Sequence, residues 1–442
     1  MNKWVLHVRD FGKIEKADVE VTPMTIFLGD NNSGKSYLMT LIYGLINVNF
    51  YFQKYKFAEG GQEYKECATI VQKMVDNLNS THKLQAQEIK KFENLCNIIL
   101  RENIDIFLKR LFNKEMEIGS LWLEFPVEND YTFEVLYDTD LQIYCRTDKK
   151  KVMSGYSWGQ DLSDAKGIIK FFISYILESL IKKDYVNSGS NQTIYFPTAR
   201  TGYLLTYKTL AGNAVIEKFS TDVKSENFLT KPNVDFLAAL SRISVQNENL
   251  YYNSVIDFIE KNVIEGQLKV SDVPAKDIMY VPKGQEKMLP MYVTSGVVTE
   301  ITPLLLFLQY ANINTILIEE PEISLHPQLQ IEIARTLIRL VNLGMPVFVT
   351  THSDIIIQHI NNMIKLSESA EKQKLLEKLE YEQADMLDRE KVSVYQFEVG
   401  KNNKTKVERL ACGAYGFEVM TFYNTLKKLN EQIDLIESME EE

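Results

Sequence analysis

The sequence predicts an α/β protein: a mixed, mainly parallel sheet flanked by helices, with a largely helical lobe inserted into it. Three observations carry this reading. The continuous apolar run Met24–Leu28 has the composition of a strand buried on both faces, and a Gly-rich loop and a helix follow it directly. The last third of the chain alternates strand and helix, as a parallel sheet with covered faces requires. Between them, from Glu63 to Phe112, apolar residues recur at helical spacing, with Ile70, Val71, Met74, Val75 and Leu78, then Ile89, Phe92, Leu95, Cys96 and Ile99.

Taken in order, Trp4–Val8 and Ala17–Val21 read as short strands ahead of Met24–Leu28. Lys35–Val48 carries Leu38, Met39, Ile42 and Leu45 on one helical face. Leu121–Phe125, Thr132–Tyr137 and Leu141–Cys145 read as a small antiparallel meander, followed by a helix over Ile168–Ile181. A strand at Thr193–Phe196 leads into PTARTGYLL, then come helices near Val234–Ile243 and Leu250–Val263 and a strand-rich stretch from Ile278 to Val293. The remaining elements are a helix from Ser295, a strand at Thr315–Ile318, a helix over Pro327–Val341 and a strand at Pro346–Thr350. A charged helix over Glu368–Leu387, a strand near Val392–Phe397 and a terminal helix from Phe417 close the chain. The expected division places the sheet-bearing core in two parts, 1–55 and 291–442, around a helical lobe with its β-meander at 56–190 and a connecting α/β segment at 191–290.

Composition bounds the functional classes. The chain has 442 residues, 45% of them hydrophobic and 25% charged, and a formal net charge of −11. That is the profile of a globular protein able to bury large cores. Its acidity argues against a surface that grips nucleic acid everywhere, because phosphate contacts rely on Lys and Arg, so nucleic acid is expected only at local patches. Cys67, Cys96, Cys145 and Cys412 form no C-x-x-C pair, which points to neither a zinc site nor a disulfide framework and fits a cytoplasmic setting. The N-terminus MNKWVLHVRD is charged within its first turn, unlike an export signal. No apolar run reaches the roughly 18 to 20 residues of a membrane span, since Lys170 and Glu178 interrupt Ile168–Ile181, and no membrane partner is expected.

The chemistry lies in four segments. GDNNSGKS, Gly29 to Ser36, satisfies G-x-x-x-x-G-K-[ST] between a buried strand and a helix. Such a loop turns the backbone N–H groups of Gly29, Asn31, Asn32, Ser33 and Gly34 toward phosphates at a helix N-terminus. Lys35 is expected to neutralise the β- and γ-phosphates of ATP, and Ser36 to ligate Mg²⁺. TILIEEPE, Thr315 to Glu322, is an apolar strand ending in carboxylates, which places Glu319 and Glu320 at the C-terminal edge of the sheet, where ligands bind. Glu319 is assigned to Mg²⁺ through water, and Glu320 to orienting or deprotonating the attacking water. PVFVTTHS brings a third strand to its end at His352, near the γ-phosphate, whereas His7, His82, His326 and His359 have no such placement. In YVTSGVVTE, Tyr292 to Glu300, Ser295 can cap the following helix and Gly296 lets an anion approach its N-terminus, or the two form a plain helix cap.

FGKIEKADVEV, GDNNSGKS, YFPTAR, SGVVTE, EEPEISLHP and TTHSD, in that order, resemble the ABC-type P-loop ATPases of the OLD-like and SMC-like branch, over almost the whole chain. That branch includes the ATPase subunits of the bacterial antiphage systems Septu and PARIS. The resemblance implies an ATP-hydrolysing switch in which Ser295 and Gly296 belong to a signature motif contacting the ATP of a second copy. Its implied partners are therefore the chain itself, as a dimer or a higher oligomer, and a separate nuclease-like effector. Glu319 stands where transporter-type ABC domains carry aspartate, and TSG replaces the fuller L-S-G-G-Q. Arg200 matches an arginine in similar segments of the branch, which implies phosphate or interface contacts, with a structural role as the alternative. The Gln loop is unassigned, Gln53 and Gln142 being candidates. An SMC-like DNA-maintenance ATPase is the alternative function, although an insertion of roughly 50 residues makes an arm of only about 35 Å as a two-helix hairpin. Asp138 and Asp140 read as a hairpin turn rather than a nuclease centre, and Lys149–Lys151 as a solvated loop rather than a DNA patch.

Overall fold

The computed structural model describes residues 3–49, 55–77, 80–127, 131–137, 142–147, 154–157, 165–182, 192–207, 209, 229–246, 248–271, 277–419, 430–433 and 436. Gln53, Asp138, Asp140, Lys149–Lys151 and most of the expected terminal helix fall outside them, as does the side chain of Gln142. The chain opens with β1 (Trp4–Phe11), β2 (Ile14–Val21), β3 (Met24–Gly29) and α1 (Lys35–Ile46). The lobe follows, with α2 (Gln62–Asp76), β4 (Ser80–Lys83), α3 (Ala86–Glu102), α4 (Ile104–Phe112), β5 (Ile118–Glu124), β6 (Thr132–Tyr137), β7 (Gln142–Thr147), β8 (Ser154–Ser157) and α5 (Ala165–Ile181). Next come β9 (Gln192–Phe196), α6 (residues 200–207), α7 (Lys231–Arg242), α8 (Asn253–Asn262), β10 (Gly266–Val270), β11 (Ile278–Pro282) and β12 (Leu289–Pro290). The last part holds α9 (Gly296–Tyr310), β13 (Ile313–Glu319), α10 (Pro327–Asn342), β14 (Val347–Thr351), α11 (Asp354–Glu368), α12 (Lys372–Leu379), β15 (Val392–Val399), β16 (Thr405–Arg409), β17 (Cys412–Gly413) and β18 (Gly416–Phe417).

The nine-stranded main sheet has the order β5-β1-β2-β16-β15-β3-β14-β13-β9. It is mixed: β15, β3, β14, β13 and β9 are joined by parallel pairings, whereas β5, β1 and β2 are antiparallel. This is the P-loop ATPase architecture that the sequence predicted. The central strands are apolar because both of their faces are covered. Phe27, Leu317 and Phe348 pack on one side with Leu38, Met39 and Ile42 of α1. Ile26, Ile316, Ile318, Val347 and Val349 pack on the other with α9, α10 and α11. In β3, β13 and β14 the one charged side chain, Glu319, therefore stands at a strand end, which is where the candidate site lies.

Two expectations need correction. Leu121–Phe125 is not part of the meander: as β5 it joins the main sheet beside β1, with Leu123 opposite Leu6 and Leu121 opposite Val8. The lobe's own sheet is β4-β6-β7-β8, two of whose strands, β4 and β8, were not anticipated. Alternation reveals a strand's buried face but not which backbone it pairs with. The charged helix expected over Glu368–Leu387 is divided, with α11 ending at Glu368 and α12 at Leu379, where Glu380 turns left-handed at φ 58°. Beyond it the chain is drawn inward by Asp385, fully buried between Arg335 and Arg339 of α10 at 2.8 and 2.7 Å, and a buried acid between two guanidiniums outweighs local helix propensity. The longest lobe helices, α3 and α5, have 17 residues, about 25 Å, so no long coiled-coil arm exists among the described residues.

Candidate nucleotide-binding site

The loop between β3 and α1 is shaped by two glycines that no other residue could replace without strain. Gly29 has φ 141°, and a Cβ there would lie 2.6 Å from the carbonyl oxygen of Phe397. Gly34, with φ 101°, caps α1, and its Cβ would come within 3.0 Å of Ile14. No side chain caps α1, so its first N–H groups stay open to an anion. Asn31, Asn32 and Ser36 are exposed around this opening and Ser33 is buried. Lys35 folds back on its own loop, its Nζ donating to Gly29 O at 2.8 Å, Asp30 O at 2.7 Å and Ser33 Oγ at 3.4 Å. Burial lowers its pKa to about 8, against the pull of Glu320, Asp30, Glu319 and Glu322.

Three of those carboxylates, Glu319, Glu320 and Glu322, stand at or just past the end of β13, two strands from β3. Glu319 is buried; its Oε1 accepts from the hydroxyl of Tyr195 at 2.8 Å, and its Oε2 from the N–H and hydroxyl of Thr198 at 3.2 and 3.1 Å. Glu320 sits at φ 43°, a left-handed conformation that side-chain-bearing residues resist. Its N–H donates to Thr350 O of β14 at 2.8 Å. His352 Nε2 lies 3.4 Å from Glu320 Oε1, and this close contact, helped by the positive charges of Lys35 and Arg200, holds the Glu320 carboxyl below its ordinary range. Glu322 fixes His352 from behind, accepting from the His352 N–H at 2.6 Å and the Thr351 hydroxyl at 2.7 Å. Tyr195, Thr198 and Glu322 were missed in the sequence. All three lie inside quoted motifs, Tyr195 and Thr198 in YFPTAR and Glu322 as the last acid of EEPE, but nothing local assigned them a role.

Residues 5–357 match the protein family described as the AAA ATPase domain. The chain belongs to this family. Among solved structures, this AAA ATPase domain is similar to the SMC head domain from Thermotoga maritima, at 10% identity and a TM-score of 0.36, over 93% of this chain and 100% of that one. It is also similar to an SmcHead bound to the C-winged helix domain of ScpA, at 10% and 0.38, over 93% and 98%. A third is an Smc head domain with an extended coiled coil bound to the C-terminal domain of ScpA derived from Pyrococcus furiosus, at 11% and 0.36, over 98% and 99%. No curated protein matches the chain. No helix among the described residues is long and apolar enough to cross a membrane.

The AAA ATPase domain thus brings Lys35, Glu319, Glu320 and His352 to one edge of its sheet. Ser295 and Gly296 lie beside the turn after β13, where a Cβ on Gly296 would meet Ser324 at 3.5 Å. They start α9, which packs on the sheet face opposite α1, and both are exposed. Ser295 Oγ caps α9, accepting from Val298 N at 3.4 Å. Arg200 turns inward rather than toward a phosphate or an interface, because its guanidinium is engaged by carbonyls and a carboxylate of its own chain. No group of three or more acidic, His or Cys side chains among the described residues is assembled for a metal. Ser36 with Glu319 fits a Mg²⁺ held mostly by water and phosphate, since Glu319 accepts three hydrogen bonds and retains roughly one lone-pair direction.

Phosphate oxygens favour the charged form of Lys35, so nucleotide binding takes up a proton wherever free Lys35 is already part-neutral. ATP affinity should then be full below pH 8 and fall as the pH rises through about 8, by up to about tenfold per pH unit. Titration calorimetry near pH 8.5 in two buffers of different ionisation heat reads that proton; identical heats would show that Lys35 is fully charged before ATP arrives.

Proposed function

We propose that the chain is an ATP-hydrolysing switch that works in pairs of copies. The observation that carries this reading is the convergence of Lys35, Glu319, Glu320 and His352 at the C-terminal ends of β3, β13 and β14, three adjacent strands. On ATP binding, Lys35 exchanges its loop carbonyls for the β- and γ-phosphates. Ser36 and Glu319 would hold Mg²⁺, which when bound would supply positive charge against those oxygens. Glu320 accepts a hydrogen bond from a water and aims it at the γ-phosphorus, and the lowered pKa makes orientation its main contribution. The water oxygen bonds to that phosphorus, the bond to the bridging oxygen breaks, ADP leaves with the electron pair and the released phosphate retains both protons of the water. His352 and Glu322 keep the Glu320 carboxylate in place.

The pairing is supported by Ser295 and Gly296. A Cβ on Gly296 would make only ordinary contact with Ser324 at 3.5 Å, so its own fold does not require glycine there, while an anion approaching α9 from outside would. The ATP of one copy would meet this helix N-terminus on the other. The resemblance to antiphage ATPase subunits further supports a separate nuclease-like effector as the output.

Glu320→Gln should retain ATP binding and lose hydrolysis by about 10² to 10⁴, the usual effect of removing a positioned base. Turnover at the wild-type rate would take Glu320 out of the mechanism. For the pairing, a Lys35→Ala chain mixed with a Ser295→Arg chain should regain one intact composite site, and a mixture no more active than either variant alone speaks against shared sites. For the effector, the chain co-expressed with the product of its adjacent gene should retain that product through purification. Full protection of cells from phage with that gene deleted would exclude it.

A further inference from the structure

We propose that Arg200 is a positioning residue that ties the backbone of Glu320 to helix α9, so that the state of the Ser295–Gly296 terminus sets the geometry of the attacking water. This rests on the reading of Glu320 given above. Arg200 is 1% exposed, at the start of α6 just past the end of β9. Its Nη1 donates to the carbonyl of Glu319 at 2.6 Å and to that of Pro197 at 3.3 Å. Its Nη2 donates to the carbonyl of Glu320 at 3.0 Å and lies 2.5 Å from Glu300 Oε1. One planar guanidinium therefore holds the carbonyls on both sides of the Glu320 α-carbon.

That grip falls where the backbone most needs one. Glu320 occupies the left-handed region at φ 43°, which a Cβ disfavours, and β14 restrains only its N–H, through Thr350. Without Arg200 the Glu320 carbonyl keeps only the Ile323 N–H of its own turn, at 3.1 Å, so the turn can relax as a unit and the carboxylate swings with it. The other end of the link is Glu300, 2% exposed on α9 one turn past Gly296, whose second carboxylate oxygen accepts from the Thr201 hydroxyl. A helix moves as a unit, so a displacement at its Ser295 end is delivered to Glu300, then to Arg200 and to the Glu320 carbonyl. A purely structural arginine would need only the Glu300 carboxylate; the two carbonyls of the acidic turn are what the fixed fork of a guanidinium adds, and an ammonium lacks that fork.

The full-length chain tests this as Arg200→Gln, Arg200→Lys, Glu300→Gln, Glu320→Gln and the double variant Arg200→Gln/Glu320→Gln. The measurements are kcat, KM for ATP, affinity for a non-hydrolysable ATP analogue and thermal unfolding. Arg200→Gln should lower kcat by about 10²-fold, the effect of an ångström-scale misplacement, and Glu300→Gln by about tenfold. KM and analogue affinity should stay within about threefold in both, since ground-state binding is untouched. Arg200→Lys should recover only part of the loss, and the double variant should be no slower than Glu320→Gln, because both changes act through one carboxylate. Should Arg200→Gln fail to fold, Glu300→Gln and Arg200→Lys decide by the same split between kcat and KM. Wild-type kcat in the Arg200 and Glu300 variants, or losses that multiply fully with that of Glu320→Gln, would overturn the inference. A wild-type rate in Glu320→Gln overturns the reading of Glu320 and this inference with it, whereas a slow Glu320→Gln beside a wild-type Arg200→Gln overturns this inference alone.

Discussion

The burial of Glu319 is the constraint around which the sheet edge is arranged. A carboxylate 7% exposed is tolerable only when its oxygens are hydrogen-bonded, and all three of its donors come from Tyr195 and Thr198. Those residues lie more than a hundred positions away in sequence. To supply them, β9 has to run parallel beside β13 as the edge strand, with Tyr195 opposite Leu317 and Phe196 opposite Ile318. Once β9 is so placed, the turn at Pro197 delivers Arg200 beneath the carbonyls of Glu319 and Glu320. Tyr195 extends the tie to α1 through its ring, which meets Tyr43 edge-on at 5.7 Å, so the acidic strand end and the helix that begins with Lys35 share one phenol side chain.

Electrostatics completes what packing begins. Lys35, short of water, has its ordinary pKa depressed by burial, and four surrounding carboxylates only partly offset the loss. Its three donors are satisfied by its own loop, an arrangement that phosphate oxygens can displace without leaving any donor unpaired. Around Glu320 the balance is reversed. Contact with His352 and the nearby charges of Lys35 and Arg200 keep it ionised, which suits the water-aiming role proposed for it better than strong proton abstraction. Glu322 holds the backbone of His352 while His352 faces Glu320, so the ends of β13 and β14 brace one another.

The lobe shows where local pattern misleads. Leu121 and Leu123 alternate with more polar neighbours as any half-buried strand does, and nearness to Thr132–Tyr137 suggested a hairpin; the backbone instead pairs with β1 across more than a hundred residues. In the charged segment after α11, helix propensity was real but local, and the pairing of Asp385 with Arg335 and Arg339 redirected the chain. Both departures come from contacts between residues distant in sequence.

By itself the sequence determined the sheet class, the Gly-rich loop between strand and helix, the carboxylates at the end of one strand and the histidine at the end of another, because each is written in a short segment. A run buried on both faces is apolar throughout, and a loop that wraps phosphate needs glycine at fixed spacing. Strand order, the edge position of β9, the partners of Glu319 and the destination of Arg200 were decided only by the tertiary structure. Backbone pairing is indifferent to side-chain identity, so a strand's sequence records which face it buries but not which neighbour it meets. A buried polar group likewise records its need for partners, and only the fold supplies them.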